Sequence, residues 1–305
     1  MELNELLGIG DFTLVETSYV NQKGIGKTLD YLSKIEEEDV SEAIRIFAER
    51  RGKDKELIGI ATYDKELGFW IIFTDVIADK RSKKDFEACA SEIKGIKARE
   101  IEVNHEKFRE GVIEFYSVGL VNRLFCDCDL EDVSFYPEER TEALKKVLND
   151  FLRETEIENK KTLEIGCGNG GATIALHEYG IFPITVDINK CEICKGLEEE
   201  VLEPKKSIIL DCSMLSTFFG KEFDIAFGFM IGKLTPLNRF EWERVLREAY
   251  KVLKSRGKVL FTVSSEEEAV IVKEILKGEF DGVIKENKDS DGYLDHWVYT
   301  GVLRG

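Results

Sequence analysis

The sequence predicts an α/β protein, with a doubly wound parallel sheet in residues 137–305 and a smaller α+β domain in residues 1–136. Three observations support this prediction. The chain has 305 residues, enough for two domains of roughly 100–200 residues each. After residue 137, short apolar strands alternate with helical stretches, which is typical of a parallel sheet covered on both faces. Residues 1–136 lack this alternation, and we expect them to form a separate unit.

The C-terminal alternation can be followed element by element. The predicted strands are Thr162–Ile165, Pro183–Val186, Ser207–Leu210, Phe223–Phe227 and Lys258–Val263. The predicted helices are Pro137–Thr155, Ala172–Tyr179, Cys191–Leu202, Arg239–Leu253 and Glu266–Leu276. We expect Gly257 to cap the helix that precedes the fifth strand. Two further segments, Val283–Glu286 and Tyr293–Val302, could pair at the sheet edge.

The N-terminal half is less regular. Its predicted elements are a strand at Phe12–Tyr19, a helix over most of Leu29–Glu49, a hairpin of Leu57–Tyr63 and Leu67–Thr74, a helix at Ser82–Ile93 and a strand at Ala98–Val103. This βαββαβ order is the ferredoxin-like pattern. The apolar segment Phe108–Phe125 fits either a helix or a pair of strands.

The composition excludes several classes of protein. The chain carries 60 acidic residues against 43 Lys and Arg, a net charge of −17, and both halves are acidic. This charge disfavours nucleic-acid binding, which needs a basic surface. Apolar stretches such as Leu67–Phe73 are far shorter than the roughly 20 residues of a membrane helix. With no export signal visible, we expect a cytoplasmic protein whose seven cysteines are reduced. Gln22 is the only glutamine, and Glu and Lys are abundant, a composition that leans towards a thermophile.

A glycine-rich string, residues 163–171, lies between the first C-terminal strand and the next helix. The carboxyl ends of strands are where α/β sheets bind ligands. Glycines there let the backbone approach a ligand closely and adopt positive φ angles. The N–H groups at the start of the following helix can bind an anion or a carboxylate. The string is therefore the candidate binding loop.

Two templates fit this string. Gly166, Gly168 and Gly171 satisfy G-x-G-x-x-G, the dinucleotide fingerprint. The string also satisfies E-x-G-x-G-x-G, through Glu164, Gly166, Gly168 and Gly170. This pattern resembles motif I of class I S-adenosylmethionine-dependent methyltransferases. Both families place an acidic residue about 20 residues later to hold ribose hydroxyls. The glycines alone therefore do not exclude the alternative interpretation, an NAD(P)-dependent oxidoreductase.

The surrounding segments favour the second template. The second strand ends at Asp187 and the third at Asp211, where this methyltransferase class places acids for the ribose and the adenine amino group. Residues 223–227 resemble its fourth strand, and residues 247–260 resemble the following helix and fifth strand. Over residues 137–305 the chain therefore resembles the class I, Rossmann-like methyltransferases, and the resemblance implies S-adenosylmethionine as cofactor.

The resemblance implies a set of cofactor-binding residues. They are Glu164, Gly166, Cys167, Gly168, Asn169, Gly170, Asp187, Ile188, Asp211, Cys212, Gly228, Phe229 and Tyr136. The backbone of residues 166–168 would approach the methionine part, with Glu164 supporting that loop near the cofactor ammonium. Asp187 would accept hydrogen bonds from the ribose, and Ile188 would pack on the adenine.

The remaining implied roles concern the adenine and the methyl group. Asp211 would bind the adenine amino group, with the Cys212 N–H near a ring nitrogen. Gly228 and Phe229, after the fourth strand, would line the methyl-transfer site. Tyr136, just before the entry helix, is a candidate lid residue over the cofactor. For each acid, the alternative is a helix N-cap or a solvated loop residue.

The implied activity is in-line methyl transfer, in which alignment of the reactants carries much of the catalysis. No residue is identified as a general base. The fourth strand is followed by residues 228–233 rather than by an Asn/Asp-Pro-Pro-Tyr/Phe motif, which disfavours methylation of an amide or exocyclic base nitrogen. Among possible methyl acceptors, we favour a small molecule first, a protein side chain second and RNA third. An oxidoreductase and a non-catalytic S-adenosylmethionine-binding regulator are the alternatives.

Two weaker signals point to other chemistry. Residues 21–28 end like a P-loop, but Asn21 replaces the first glycine that the phosphate-binding turn needs. Cys126, Cys128, Cys191 and Cys194 could supply four thiolates, although the C-x-C spacing is a poor match to zinc sites. The sequence leaves open whether these cysteines bind a metal, and we expect no metal site.

Overall fold

The computed structural model describes residues 2–16, 25–35, 38, 40–49, 55–76, 80–92, 97–126, 134 and 136–305. The chain divides into two compact units, Met1–Gly119 and Leu120–Gly305. The domain boundary at residue 137 stays a prediction. Among the described helices, none is long and apolar enough to cross a membrane.

The N-terminal unit contains one five-stranded sheet with helices. The helices are α1 Leu3–Leu7, α2 Gly26–Leu32, α3 Lys80–Glu92 and α4 His105–Val121. The strands are β1 Phe12–Leu14, β2 Val40–Glu49, β3 Lys55–Asp64, β4 Phe69–Thr74 and β5 Ala98–Val103. The strand order is β1-β4-β3-β2-β5. Strands β2, β3 and β4 are antiparallel, whereas β1 pairs parallel with β4 and β5 parallel with β2.

The helix predicted over most of Leu29–Glu49 is wrong. Its first part is α2, but Val40–Glu49 is a strand that pairs on both sides, with β3 and β5. Ala, Glu and Arg in this segment favour a helix locally, and pairing on two edges overrides that weak preference. The extra strand changes the order of elements, so the ferredoxin-like prediction is wrong as well. The hairpin of β3 and β4 and the strand Ala98–Val103 are confirmed, and the apolar segment after residue 105 is a helix.

The C-terminal unit alternates strands and helices as predicted. Its helices are α5 Glu138–Arg153, α6 Thr173–His177, α7 Lys190–Glu198, α8 Leu215–Phe218, α9 Arg239–Val252 and α10 Glu266–Leu276, with a 3₁₀ turn at Cys212–Met214. Its strands are β6 Thr162–Ile165, β7 Ile184–Asp187, β8 Ser207–Ile209, β9 Phe223–Gly228, β10 Leu253–Val263, β11 Phe280–Glu286 and β12 Trp297–Leu303.

These strands form a seven-stranded sheet in the order β11-β12-β10-β9-β6-β7-β8. From β8 to β10 all neighbours pair parallel, and β12 pairs antiparallel with both β10 and β11. The chain runs outward from β6 to β8 and then returns to β9 on the other side of β6. The strand order reverses between β6 and β9, and ligands of such sheets bind at the carboxyl ends of the strands on either side of this point. The doubly wound sheet and the edge pair are confirmed.

One face of this sheet is covered by α5 and α6. The core residues on that face are Leu144, Leu148, Phe151, Ala172, Ala175, Leu176, Ile181, Ile225, Phe227, Phe229, Leu260 and Val298. The predicted cap at Gly257 is wrong, because α9 already ends at Val252 and Leu253 pairs with Phe223. The register shifts between Leu253 and Lys258, so Gly257 lies in an irregular part of β10.

Candidate active site

The glycine loop follows β6, whose four residues are all buried. Three of its glycines have positive φ: Gly166 at 70°, Gly168 at 54° and Gly170 at 89°. At Gly170 the requirement is also steric, since an added Cβ would lie 2.6 Å from Val201 Cγ1. The spacing of glycines in the sequence therefore reflects a backbone that residues with side chains rarely adopt.

Hydrogen bonds fix this loop to the end of β7. Gly166 N donates to Val186 O at 2.7 Å, and Gly168 N donates to Asp187 Oδ2 at 2.8 Å. The second oxygen of Asp187 accepts from Asn189 N at 2.7 Å. The Asp187 carboxylate therefore joins the glycine loop to the turn that precedes α7, and each of its oxygens can still accept a further hydrogen bond.

Glu164 is buried beneath the loop, with 1% of its surface exposed. Its Oε2 accepts a hydrogen bond from Thr173 Oγ1 at 2.7 Å, and its Oε1 has no partner among the described residues. Burial raises the pKa of Glu164 to about 8, although the Thr173 hydroxyl and the Arg140 charge act in the opposite direction. The site thus holds a carboxyl oxygen that lacks a donor.

The predicted adenine side lies at the ends of β7 and β8. Leu210 N donates to Asp187 O at 3.0 Å, which holds the two strand ends together. Asp211 begins the 3₁₀ turn, and its Oδ1 accepts from Ser213 N at 2.8 Å. Ile188 is an apolar side chain that is 55% exposed beside Asp187. The structure therefore brings an acid, an exposed apolar surface and a second acid to one edge of the sheet.

Two thiols belong to the same loops. Burial raises the pKa of Cys167 well above its usual range, and the charge of Glu164 acts in the same direction. Burial raises the pKa of Cys212 to about 12, and the charge of Asp187 adds to this effect. Both side chains are therefore protonated near neutral pH, and neither is suited to act as a thiolate nucleophile.

Tyr136 lies against the glycine loop. Its hydroxyl is 3.1 Å from Asn169 O and 2.5 Å from Glu199 Oε2. Glu199 also accepts from Ser134 N at 2.9 Å. Burial and the hydrogen bond to Glu199 raise the pKa of Tyr136, so the hydroxyl remains a donor. Asn169 contacts Tyr136 through its backbone carbonyl oxygen. A role for either residue in holding the cofactor stays a prediction.

The end of β9 is tightly packed. A Cβ on Gly228 would lie 2.6 Å from Ile231 Cγ2, so a larger residue would displace the segment that follows the strand. Phe229 is 4% exposed and stacks on Phe227 with ring centroids 6.0 Å apart. The Phe229 side chain thus packs in the core, and its predicted place beside the methyl group could be filled only by its backbone.

Four residues that the sequence did not suggest meet near the loop. Arg140 Nε donates to Asp295 Oδ2 at 2.7 Å, and Thr262 Oγ1 donates to the other oxygen of Asp295. Asp295 N lies 3.2 Å from Met230 Sδ. Asp295 is 1% exposed and has a φ of 54°. One sequence signal could have pointed to Arg140: it lies in the first turn of α5, where the helix dipole disfavours a positive charge.

The weaker sequence signals lead to no metal or phosphate site in the described residues. No group of three or more potential metal ligands occurs there, and Cys128 lies outside the described part. Cys126 is disulfide-bonded, so the expectation of reduced thiols is wrong at this residue, whereas Cys191 and Cys194 are not disulfide-bonded. Residues 21–24 of the P-loop-like segment also lie outside the described part. Thr28 N donates to the buried carboxylate of Glu16 at 2.8 Å, which occupies a donor that a phosphate would need.

Comparison with known proteins identifies a family to which part of the chain is similar. Residues 163–261 match a family model described as a methyltransferase domain. Over 172 residues the chain is 28% identical to sterol 4-C-methyltransferase strm-1 of Caenorhabditis elegans, covering 54% of this chain and 46% of that protein. Over 155 residues it is 30% identical to an uncharacterised protein of Methanocaldococcus jannaschii, covering 48% and 57%. The chain thus spans about half the length of the curated relatives it matches.

Solved structures are also similar to this chain. The PH0226 protein from Pyrococcus horikoshii OT3 is 22% identical with a TM-score of 0.42, covering 55% of this chain and 95% of that one. Magnesium protoporphyrin IX methyltransferase from Synechocystis PCC 6803 is 13% identical with a TM-score of 0.44, covering 65% and 97%. The matched family segment runs from β6 into β10 and includes the glycine loop, Asp187 and Asp211. Residues 163–261, which fold into the parallel part of the sheet, accordingly match a methyltransferase domain.

Proposed function

We propose that the C-terminal unit binds S-adenosylmethionine and transfers its methyl group to a small-molecule or protein acceptor. The observation that carries this proposal is the unpartnered, buried Oε1 of Glu164 beneath a glycine loop with positive φ angles. A buried carboxyl oxygen without a donor is costly, and the ammonium group of the cofactor supplies both a donor and a compensating charge.

The other predicted cofactor residues fit the same ligand. Asp187 retains the capacity to accept hydrogen bonds from ribose hydroxyls while it holds Gly168. Exposed Ile188 offers an apolar surface for the adenine ring, and Asp211 stands at the end of the next strand. The backbone at Gly166 and Gly168 is open for close approach, since an added Cβ would have no neighbour within 4 Å at either position. These residues would hold the three parts of the cofactor in one orientation.

The protein's task in such a reaction is positioning. The bound cofactor carries a methyl group that is already activated by the positive sulfur. The residues of the site hold that group in line with an acceptor and exclude water. A general base is required only when the acceptor arrives protonated. Since Cys167 and Cys212 remain protonated near neutral pH, neither is proposed as that base.

The sheet order supports this reading over an oxidoreductase. Dinucleotide-binding sheets have the order 3-2-1-4-5-6 with parallel strands. In this chain an antiparallel strand, β12, lies between β10 and β11. The glycine string is common to both families, whereas this inserted strand is not part of the dinucleotide pattern. A non-catalytic S-adenosylmethionine-binding regulator would keep the same sheet and differ only in turnover.

The proposal extends to the acceptor and to the cellular location. Both halves of the chain are acidic, with a net charge of −17 overall, so a small molecule or a protein is favoured over a nucleic acid. We include a cytoplasmic location in the proposal, and the Glu- and Lys-rich composition favours a thermophilic source. Fractionation of the native cells with a specific antibody tests the location.

Titration calorimetry with S-adenosylmethionine, S-adenosylhomocysteine and NADH tests the proposal. We expect binding of the first two and none of NADH. Binding of NADH alone would establish the oxidoreductase reading instead. Tight binding of S-adenosylmethionine without transfer of a labelled methyl group to any acceptor, in a screen of small molecules and proteins, would favour the regulator.

A further inference from the structure

Arg140 is a cation beside the glycine loop that the sequence motifs do not explain. Its Nε is engaged by Asp295, and its terminal nitrogens have no hydrogen-bond partner among the described residues. A Cβ added to Gly171 would lie 3.4 Å from Arg140 Nη1, so the guanidinium group stands beside the loop. Its charge also acts on buried Glu164. The guanidinium is therefore held at one edge and open at the other.

We propose that Arg140 binds the carboxylate of the amino-acid part of the cofactor, with Asp295 as the residue that positions it. This inference rests on the proposed function and adds a binding residue that the glycine motif does not contain. The open terminal nitrogens of Arg140 can donate two parallel hydrogen bonds to a carboxylate, the geometry that guanidinium groups favour.

The charges on the two sides of the loop support this assignment. An amino acid at neutral pH carries one ammonium and one carboxylate on the same carbon. Glu164 offers an unpartnered carboxyl oxygen, and Arg140 offers unpartnered donors. The pair therefore matches both charges of the ligand, and binding would satisfy two groups for which the described residues supply no partner.

Asp295 keeps Arg140 in this position. It is buried, it accepts from Thr262 at the end of β10, and its backbone N–H meets Met230 after β9. Two segments at the carboxyl edge of the sheet therefore fix Asp295, one through its carboxylate and one through its backbone, and the carboxylate in turn holds one side of the guanidinium. A side chain fixed in this way loses little conformational freedom when it binds a ligand.

The competing interpretation is that Arg140 only neutralises buried Asp295. A pair of ligands separates the two roles. S-adenosylhomocysteine has the amino-acid part, and 5′-methylthioadenosine has the same adenine and ribose without it. Loss of a carboxylate contact weakens the first ligand alone, whereas a general distortion of the site weakens both.

The experiment is titration calorimetry of both ligands with wild-type protein and Arg140→Gln. We expect Arg140→Gln to weaken S-adenosylhomocysteine binding roughly 10- to 100-fold and to leave 5′-methylthioadenosine within about twofold. Lys146→Gln is the matched control, because Lys146 lies on the same helix and pairs with Asp289 instead. It should change neither affinity. Asp295→Ala should shift the ratio of the two affinities in the same direction as Arg140→Gln.

Equal weakening of both ligands, or of neither, in Arg140→Gln would overturn the inference. Should that variant fail to fold, the wild-type protein still provides a test. An analogue of S-adenosylhomocysteine that lacks only its carboxyl group should bind roughly 10- to 100-fold more weakly than the parent. Equal binding of the analogue would overturn the inference while leaving the proposed function intact. Failure of wild-type protein to bind S-adenosylhomocysteine at all would refute the proposed function and the inference with it.

Discussion

The Thr173 hydroxyl donates a hydrogen bond to Glu164 Oε2 at 2.7 Å. Glu164 is only 1% exposed, and this is the hydrogen bond that the described residues give to its carboxyl group. The hydroxyl comes from the first turn of α6, and the carboxyl from the middle of buried strand β6. The other carboxyl oxygen has no donor within the part of the chain that the structure describes. We therefore expect ligand binding and proton binding to be coupled at this residue.

We expect cofactor binding to release protons from Glu164 at pH 7. With a pKa of about 8, the buried carboxyl group is mostly protonated in the unliganded protein, and a neighbouring ammonium would favour its ionised form. Calorimetry of S-adenosylhomocysteine in phosphate and in Tris should therefore give different apparent enthalpies. The difference should vanish for 5′-methylthioadenosine and in Glu164→Gln. Equal enthalpies for S-adenosylhomocysteine in the two buffers would contradict this expectation.

Asp187→Ala should weaken cofactor binding by about 1–3 kcal/mol, because the ribose hydroxyls and Gly168 N both lose their acceptor. The loss should be the same for S-adenosylhomocysteine and for 5′-methylthioadenosine, since both carry the ribose. Asp281→Ala serves as the control, because that exposed acid pairs with Arg304 on the edge strand. Wild-type affinity in Asp187→Ala, measured by calorimetry, would show that the residue does not hold the ribose.

Gly170→Ala and Gly180→Ala separate backbone strain from crowding. Both glycines have positive φ, 89° and 69°, but an added Cβ has no neighbour within 4 Å at Gly180 and meets Val201 at 2.6 Å at Gly170. We expect Gly180→Ala to cost about 1–2 kcal/mol and Gly170→Ala about 1–3 kcal/mol more. Urea unfolding measures both changes, and equal losses would mean that the loop moves freely to make room.

The N-terminal unit contains another buried acid whose pKa is raised, Asp75, after β4. Burial raises its pKa to about 7, and its Oδ1 has no partner among the described residues. The folded state then binds more protons than the unfolded state between about pH 4 and pH 7, so stability falls as the pH rises through that window.

Asp75→Asn should remove this dependence. At pH 8 we expect the variant to be more stable than the wild type by up to about 4 kcal/mol, and near pH 4 the advantage should disappear. Urea unfolding of both proteins at several pH values measures the difference. A constant difference across the pH range would show that Asp75 ionises normally in the folded protein.

Much of the C-terminal unit could be predicted because its signals are local. Four-residue apolar strands, a glycine turn and acids at strand ends are encoded within short windows. The contact between Arg140 and Asp295 joins residues 155 positions apart, and neither belongs to a motif. Such a pair becomes visible only when the sheet brings α5 and the segment before β12 together.

The errors in the N-terminal unit have the same origin. Strand β2 carries residues with good helix propensity, and its conformation is decided by hydrogen bonds to β3 and β5. The irregularity near Gly257 likewise follows from where Leu253 pairs with Phe223. Partners distant in the sequence decide both cases, and periodicity within one segment carries no information about them.

The hydrogen bond from Gly168 N to Asp187 links the glycine loop to the proposed ribose ligand, and both belong to the part of the site that would hold the unreactive portion of the cofactor. In the proposed complex, Glu164, Arg140 and Asp187 would all face groups that the methyl donor shares with its demethylated product. Contacts of this kind hold the two with equal strength and leave discrimination to the immediate surroundings of the sulfur. We therefore expect the product to compete strongly with the donor, and sustained turnover to depend on a second enzyme that removes the product.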